Sequence, residues 1–72
     1  MAKTSRTQQE LNKLPQKQLD YLIYLRDNMR RFYNEDNLKV GNECRHAARG
    51  YIKCLEDCGV ASFNILWAWF TL

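Results

Sequence analysis

Glycine, histidine and proline are scarce in this sequence of 72 residues, and their scarcity removes several kinds of site. The only glycines are Gly41, Gly50 and Gly59. They form neither a GxGxxG nor a GK[ST] pattern, so no loop that cradles a nucleotide phosphate is expected. The single histidine, His46, falls on the opposite helical face from Cys44 and about 16 Å along the axis from Asp57, so neither pair forms a nucleophile and base. We expect a protein that is not an enzyme and has no small-molecule substrate.

Long apolar runs and a secretion signal are also missing. The uncharged run from Val60 to Leu72 has 13 residues, whereas a membrane-spanning helix needs roughly 20. The N-terminal segment MAKTSRTQQE is polar and lacks the apolar core of a signal peptide. The three cysteines, an odd number, provide no disulfide framework. These absences predict a soluble, cytoplasmic protein.

The cysteines and the histidine are ligand types that zinc prefers, but their spacing argues against a shared metal. Cys44 and Cys58 would lie about 21 Å apart along one helix. We therefore expect Cys44, Cys54 and Cys58 to be buried core thiols and His46 to be solvated, with no metal and no cofactor. The alternative is a metal that Cys54 and Cys58, one helical turn apart, share with a partner chain.

Local signals predict the first two helices. Thr7 and Glu10 have capping-box spacing and predict a helix over residues 7–13. Pro15 ends that segment and begins a second helix that runs to about Tyr33. The core-facing stripe of the second helix is expected to comprise Leu19, Leu22, Ile23, Leu25, Met29, Phe32 and Tyr33.

The third helix has the clearest periodicity. It is expected to begin near residue 38 or 43, with Asn37 or Asn42 as its N-cap, and to end at residue 58. Gly59 then provides the left-handed residue that commonly ends a helix. The apolar seam of this helix is expected to comprise Val40, Cys44, Ala47, Ala48, Tyr51, Cys54, Leu55 and Cys58. The small residues of the seam would let another helix approach closely.

The last twelve residues, ASFNILWAWFTL, are uncharged. Ser62 can cap a helix of about ten residues, and the alternative is a strand. A helix is favoured because both alternating sets of side chains are apolar and no second strand is evident to pair with it. With 46% hydrophobic and 26% charged residues, the chain has a globular composition. We predict an all-α fold, a compact bundle of three to four short helices with an aromatic C-terminal helix, as one domain over residues 1–72 in which residues 1–6 are flexible.

Basic residues are concentrated in two groups. Residues 1–33 carry seven Lys and Arg against three Asp and Glu, while residues 34–72 carry four against five. Arg26, Arg30 and Arg31 cluster late in the second helix. Arg45, Arg49 and Lys53 step by four along one side of the third helix. Such stripes are most often the solvated face of a helix. The alternative is contact with phosphate or with an acidic protein patch, because guanidinium groups bind carboxylates and phosphates bidentately.

The aromatic tail predicts a contact surface. On a helical wheel its apolar side chains occupy both sides, and one small core can cover only one of them. We therefore predict a small non-enzymatic binding protein that docks on a protein partner or on a second copy of itself, as a regulator or inhibitor of the kind found among accessory proteins of phages and mobile elements. The alternative is a small helical DNA-binding transcriptional regulator. The residues expected to contact the partner are Trp67, Trp69, Phe70, Arg26, Arg30, Arg45, Arg49 and Lys53.

Overall fold

The computed structural model of the chain describes residues 5–72. The helices in this range are α1 (Arg6–Asn12), α2 (Gln16–Asn34), α3 (Leu38–Asp57) and α4 (Phe63–Thr71). Residues 5–72 contain no strand, so the all-α prediction and the helical interpretation of the C-terminal segment are confirmed.

The first helix begins earlier than the capping-box spacing predicts. The side chain of Ser5 accepts a hydrogen bond from the main-chain N–H of Gln8, at 3.1 Å, and Ser5 is therefore the N-cap in place of Thr7. Of the residues expected to be flexible, Ser5 and Arg6 belong to this cap and first turn, and residues 1–4 lie outside the described range. Pro15 is the N-cap of α2, so the helix begins at Gln16, one residue later than predicted.

Two turn motifs join α2 to α3. Asp36 has a φ of 58°, and the N–H groups of Asp36 and Asn37 donate to the carbonyls of Tyr33 and Phe32. This is the pair of hydrogen bonds that closes a Schellman motif, here with aspartate at the left-handed position. The side chain of Asn37 then caps α3 by accepting from the N–H of Val40. The two longest helices consequently run antiparallel.

A close approach fixes the register of α2 against α3. The Tyr33 ring lies directly over Gly41, where an added Cβ would come within 2.5 Å of the ring carbon Cδ1. The hydroxyl of Tyr33 donates to Oδ1 of Asn42 at 2.6 Å. At the other end of the pair, the rings of Tyr21 and Tyr51 are 5.1 Å apart. Gly41 is therefore required for close helix packing.

All the helices of the described range contribute side chains to the hydrophobic core. Its buried hydrophobic members are Leu11, Leu14, Leu22, Leu25, Met29, Ala48, Ile52, Leu55, Leu66 and Phe70. The predicted stripe of α2 is confirmed at Leu22, Leu25 and Met29, whereas Ile23 is exposed. Helices α1 and α4 pack against one another, and α4 also contacts α2 and α3.

The predicted seam of α3 is partly wrong. Ala48 and Leu55 are buried as expected, and so are Gly41 and Ile52, which the seam did not include. The other predicted members are half-buried or exposed; they are Val40, Cys44, Ala47, Tyr51, Cys54 and Cys58. The prediction of core thiols therefore fails for Cys54 and Cys58, both of which are exposed. The buried face of α3 is thus rotated away from the predicted seam, toward the side on which α4 also packs.

Candidate protein-docking surface

A sharp chain reversal places α4 on the bundle. Gly59 has a φ of 74°, and the N–H groups of Gly59 and Val60 donate to the carbonyls of Glu56 and Leu55. This second Schellman motif confirms that Gly59 stops α3. Residues 60–62 then lead directly into α4, which lies along one side of the antiparallel pair.

Two carboxylates hold the N-terminus of α4. Ser62 makes no side-chain cap; instead its main-chain N–H donates to Oε2 of Glu10, at 3.1 Å. The N–H of Phe63 donates to Oε2 of Glu56, at 2.9 Å. Both acids satisfy N–H groups that a helix leaves unpaired and complement its positive end. Hydrogen bonding by Lys13 and then by the Ser62 N–H lowers the pKa of the Glu10 carboxyl.

Three aromatic rings of α4 stack along the helix. The ring of Phe63 lies 6.0 Å from that of Trp67, and Trp67 lies 5.7 Å from Phe70, with each pair nearly parallel. Phe70 is fully buried, but Phe63 and Trp67 are half-buried. The stack therefore runs from the core to the surface, and its outer members remain available for contact.

Cationic side chains of α3 border the outer part of this stack. The guanidinium of Arg45 lies over the Trp67 ring at 5.3 Å, and Nζ of Lys53 lies 5.9 Å from the centre of the Phe63 ring. Both contacts have cation–π geometry. A surface hollow of about 410 Å³ lies beside them, with no acidic residue in its lining. Its lining consists of His46, Arg49, Gly50, Lys53 and Phe63.

A second basic group lies on the opposite flank of α4, toward α2. The guanidinium of Arg26 covers the ring of Trp69 at 4.7 Å. Burial, reinforced by neighbouring Arg30, lowers the pKa of Arg26, and its Nε atom has no hydrogen-bond partner among residues 5–72. Arg30 donates from Nη2 to the main-chain oxygen of Leu72. Arg26 and Arg30 therefore connect the C-terminal end of α4 to α2.

The structure divides seven of the eight predicted contact residues into two groups. Arg45, Arg49 and Lys53 lie with Trp67 on the flank toward α3, while Arg26 and Arg30 lie with Trp69 on the flank toward α2. Phe70 belongs to neither surface, because its side chain has no exposed area. It is a core residue, and we remove it from the contact set.

The sequence pattern missed three members of the hollow, His46, Gly50 and Phe63, and both carboxylates that position α4. His46 is exposed, as the sequence predicts, but it also lines the hollow together with Phe63. The hydrogen bond from Ser62 to Glu10 spans 52 residues, so no local spacing signals it. A wheel of α3 does place His46 on the same side as Arg49 and Lys53, and this signal could have extended the basic stripe.

The cysteines are not gathered around a metal in the described range. No three His, Cys, Asp or Glu side chains of residues 5–72 are placed to hold one ion. Cys54 and Cys58 lie one turn apart, and the neighbouring Cys58 thiol raises the pKa of Cys54. A raised thiol pKa lowers the thiolate fraction that metals and electrophiles require.

None of the helices in residues 5–72 combines the length and the apolar character that crossing a bilayer requires. Comparison of this chain with protein-family models, with curated proteins and with solved structures finds no match.

Proposed function

We propose that this chain is a non-enzymatic binding protein that docks on an acidic segment of a protein partner. The proposal rests on one observation, the hollow between α3 and α4, which combines an aromatic wall with cationic side chains. Phe63 provides the apolar wall, and Arg49, Lys53 and His46 provide the polar rim. The docking surface is defined as this hollow together with Arg45 and Trp67.

Arg49 is the principal anchor for a carboxylate. It is exposed and makes no ion pair with any of residues 5–72. Lys53, by contrast, pairs with Glu56 at 3.5 Å, and Glu56 is already engaged by the N–H of Phe63. A free guanidinium can hold a carboxylate through two parallel hydrogen bonds, and this contact specifies orientation as well as charge.

The aromatic rings supply contact area at low entropic cost. Phe63 and Trp67 are held by stacking on one another, and Trp67 is also covered by Arg45. Side chains that are already ordered lose little freedom when a partner binds. A partner segment that carries an acid next to an aromatic or aliphatic residue would therefore match both parts of the surface.

Selection from a displayed library of random twelve-residue peptides tests the proposal without knowledge of the natural partner. We expect enrichment of sequences that contain Asp or Glu beside aromatic or aliphatic residues. Arg49→Gln and the double variant Arg49→Gln/Trp67→Ala should each bind the selected peptides at least tenfold more weakly. This loss corresponds to about 1.4 kcal/mol of binding free energy.

The matched control is Lys39→Gln, which removes one exposed cation from α3 outside the hollow and should leave peptide affinity unchanged. Docking at this site would be contradicted if the selection did not enrich acidic peptides. It would also be contradicted if Lys39→Gln lowered peptide affinity as much as Arg49→Gln. A duplex DNA probe in the same assay separates the nucleic-acid alternative, since binding to phosphates weakens steeply as salt rises.

A further inference from the structure

Gly50 is an exposed glycine in the interior of α3, and the packing of the domain does not account for it. Its φ is not positive, and no packing neighbour among residues 5–72 lies within 4 Å of a Cβ built there. Gly41, by contrast, makes room for the Tyr33 ring. After proline, glycine is the residue that weakens a helix interior most. Gly50 therefore lowers the stability of α3 without a return in packing, and such local costs are typical of functional sites.

This glycine lines the hollow of the docking surface, among the basic side chains of α3. His46 lies one turn before it, Arg49 lies beside it and Lys53 lies one turn after it. Because position 50 has no side chain, the space between these groups and the Phe63 ring stays open as far as the backbone of α3. A small charged group can enter there, whereas a larger residue at position 50 would fill the opening.

Four acidic residues of the described range lie near the hollow, and none of them lines it. They are Glu10, Glu43, Glu56 and Asp57. Glu10 and Glu56 already accept hydrogen bonds from the first N–H groups of α4, and Glu56 also pairs with Lys53 at 3.5 Å. Glu43 and Asp57 lie on the same side of α3 as Gly50, but about 10 Å from it toward either end. Within residues 5–72, the positive charge of the hollow is thus compensated only at Lys53.

The number of basic side chains indicates the kind of anion that the hollow binds. The guanidinium of Arg49 can engage both oxygens of a carboxylate, which then offers little to Lys53 and His46. A phosphate monoester carries a charge of about −1.5 to −2 at neutral pH and three strong acceptor oxygens. Its oxygens can accept from Arg49, from Nζ of Lys53 and from a ring N–H of His46 at the same time. A phosphate therefore matches the set of donors better than a carboxylate does.

The apolar wall indicates what carries the phosphate. The Phe63 ring is half-buried and stacks on Trp67 at 6.0 Å, so it offers an ordered flat surface. The volume of about 410 Å³ has room for a ring as well as for a phosphate. Arg49 and Lys53 only donate hydrogen bonds, so the amino groups of a nucleobase would find few acceptors beside them. A phenyl ring needs no acceptor and packs favourably on another aromatic ring.

We propose that the docking surface binds a phosphotyrosine side chain of the partner segment, with the phosphate beside Gly50 and the ring against Phe63. The phosphate is the acidic group of the proposed function, on which this assignment rests. Gly50 determines specificity, because its missing side chain provides the space that the phosphate enters. Arg45 and Trp67 border the same surface and remain available to the residues that flank the phosphotyrosine.

Phenyl phosphate is the probe for this site, and nuclear magnetic resonance of the isotope-labelled chain follows the amides of Gly50, Lys53 and Phe63. Benzoate carries the ring with a carboxylate, and inorganic phosphate carries the anion without the ring. We expect the three amides to shift and phenyl phosphate to bind roughly tenfold more tightly than either control compound, since it alone engages both the basic side chains and the ring.

Gly50→Ala and Gly50→Met should weaken binding without unfolding the chain. Alanine and methionine favour a helix more than glycine does, and the space at position 50 is open, so urea denaturation should show both variants at least as stable as the wild type. Affinity for phenyl phosphate should fall about threefold in Gly50→Ala and about tenfold or more in Gly50→Met, because the larger side chain fills the opening. Lys39→Gln is the matched control and should bind like the wild type.

Equal affinity for benzoate and phenyl phosphate would overturn the phosphotyrosine assignment and leave the docking of an acidic segment standing. Unchanged affinity of Gly50→Met for phenyl phosphate would overturn it as well, because the phosphate would then lie elsewhere. Tighter binding of adenosine 5′-monophosphate than of phenyl phosphate would assign the hollow to a nucleotide instead. The peptide library contains no phosphate, so selection from it tests the proposed function separately and can fail or succeed independently.

Discussion

Glu10 of the first helix binds the start of the last one, through a hydrogen bond of 3.1 Å from the Ser62 N–H to its carboxylate. Lys13 donates to the other carboxylate oxygen at 3.0 Å. The pKa of Glu10 is consequently lowered, chiefly by Lys13 and next by Ser62. One ionised side chain thus joins residues that lie at opposite ends of the sequence.

Glu10→Gln should make the domain less stable at neutral pH and should reduce its loss of stability in acid. A lowered folded-state pKa contributes stability above the ordinary carboxyl value of about 4.3, and the contribution disappears as pH falls through the folded-state pKa. Melting temperatures of both chains from pH 7 to pH 3 should therefore converge at the acidic end. Glu35→Gln removes an equal charge from an exposed helix end and should not lower the melting temperature at pH 7. Parallel curves for the wild type and the Glu10 variant would contradict the linkage.

Replacing each of two glycines in α3 by alanine should change the stability of the domain in opposite directions. At Gly41 the new methyl group would lie 2.5 Å from the Tyr33 ring, whereas at Gly50 nothing lies within 4 Å. Overpacking costs about 1–3 kcal/mol and the better helix propensity of alanine returns about 1 kcal/mol, so Gly41→Ala should lose up to about 2 kcal/mol. Gly50→Ala should gain about 0.5–1 kcal/mol. Urea denaturation measures both, and a stabilised Gly41→Ala chain would show that the Tyr33 contact is loose.

Arg26 should act more through packing than through charge. Its guanidinium covers Trp69, but its Nε atom is buried without a partner, and burial lowers its pKa. An unsatisfied buried donor costs about 1–3 kcal/mol, against about 0.5–1 kcal/mol for an accessible cation–π contact. Arg26→Met still covers the Trp69 ring but has no unpaired donor, so its free energy of unfolding should match or exceed that of the wild type. Arg26→Ala exposes Trp69 and should be less stable by about 1 kcal/mol, with a red-shifted tryptophan emission. If Arg26→Met strongly destabilised the chain, the contribution of Arg26 to stability would come from its charge and not from packing.

The helices and their stops could be predicted because their signals are local. Pro15, Asn37 and Gly59 each act through the backbone of the adjacent residues, and all three lie where the sequence places them. The buried side of α3 could not be predicted, because alanine and cysteine occur on two of its sides and the position of α4 decides between them. Ile52 was missed for this reason, and the cysteine-bearing side is half-buried or exposed.

The docking surface was only partly predictable. Spacing identified Arg45, Arg49 and Lys53 as one stripe, but their proximity to Phe63 and Trp67 depends on the direction of α4. That direction is set by carboxylates from other helices, and period-based patterns carry no information on such distant contacts. The burial of Phe70 likewise follows from which side of α4 meets the bundle.

The aromatic residues of α4 should therefore separate into one core residue and two surface residues. Phe70 is fully enclosed, so Phe70→Ala should cost about 3–5 kcal/mol. A domain of this size has a total stability of roughly 4–11 kcal/mol, so the variant should lose a large share of it and melt at a markedly lower temperature. Trp67→Ala and Trp69→Ala alter half-buried rings and should cost less, leaving folded chains whose helicity matches the wild type.

Of these two, only Trp67→Ala should lower affinity for the selected acidic peptides, because Trp69 lies on the flank that Arg26 occupies. Equal destabilisation by all three variants, without an effect of Trp67 on binding, would make α4 a core element alone.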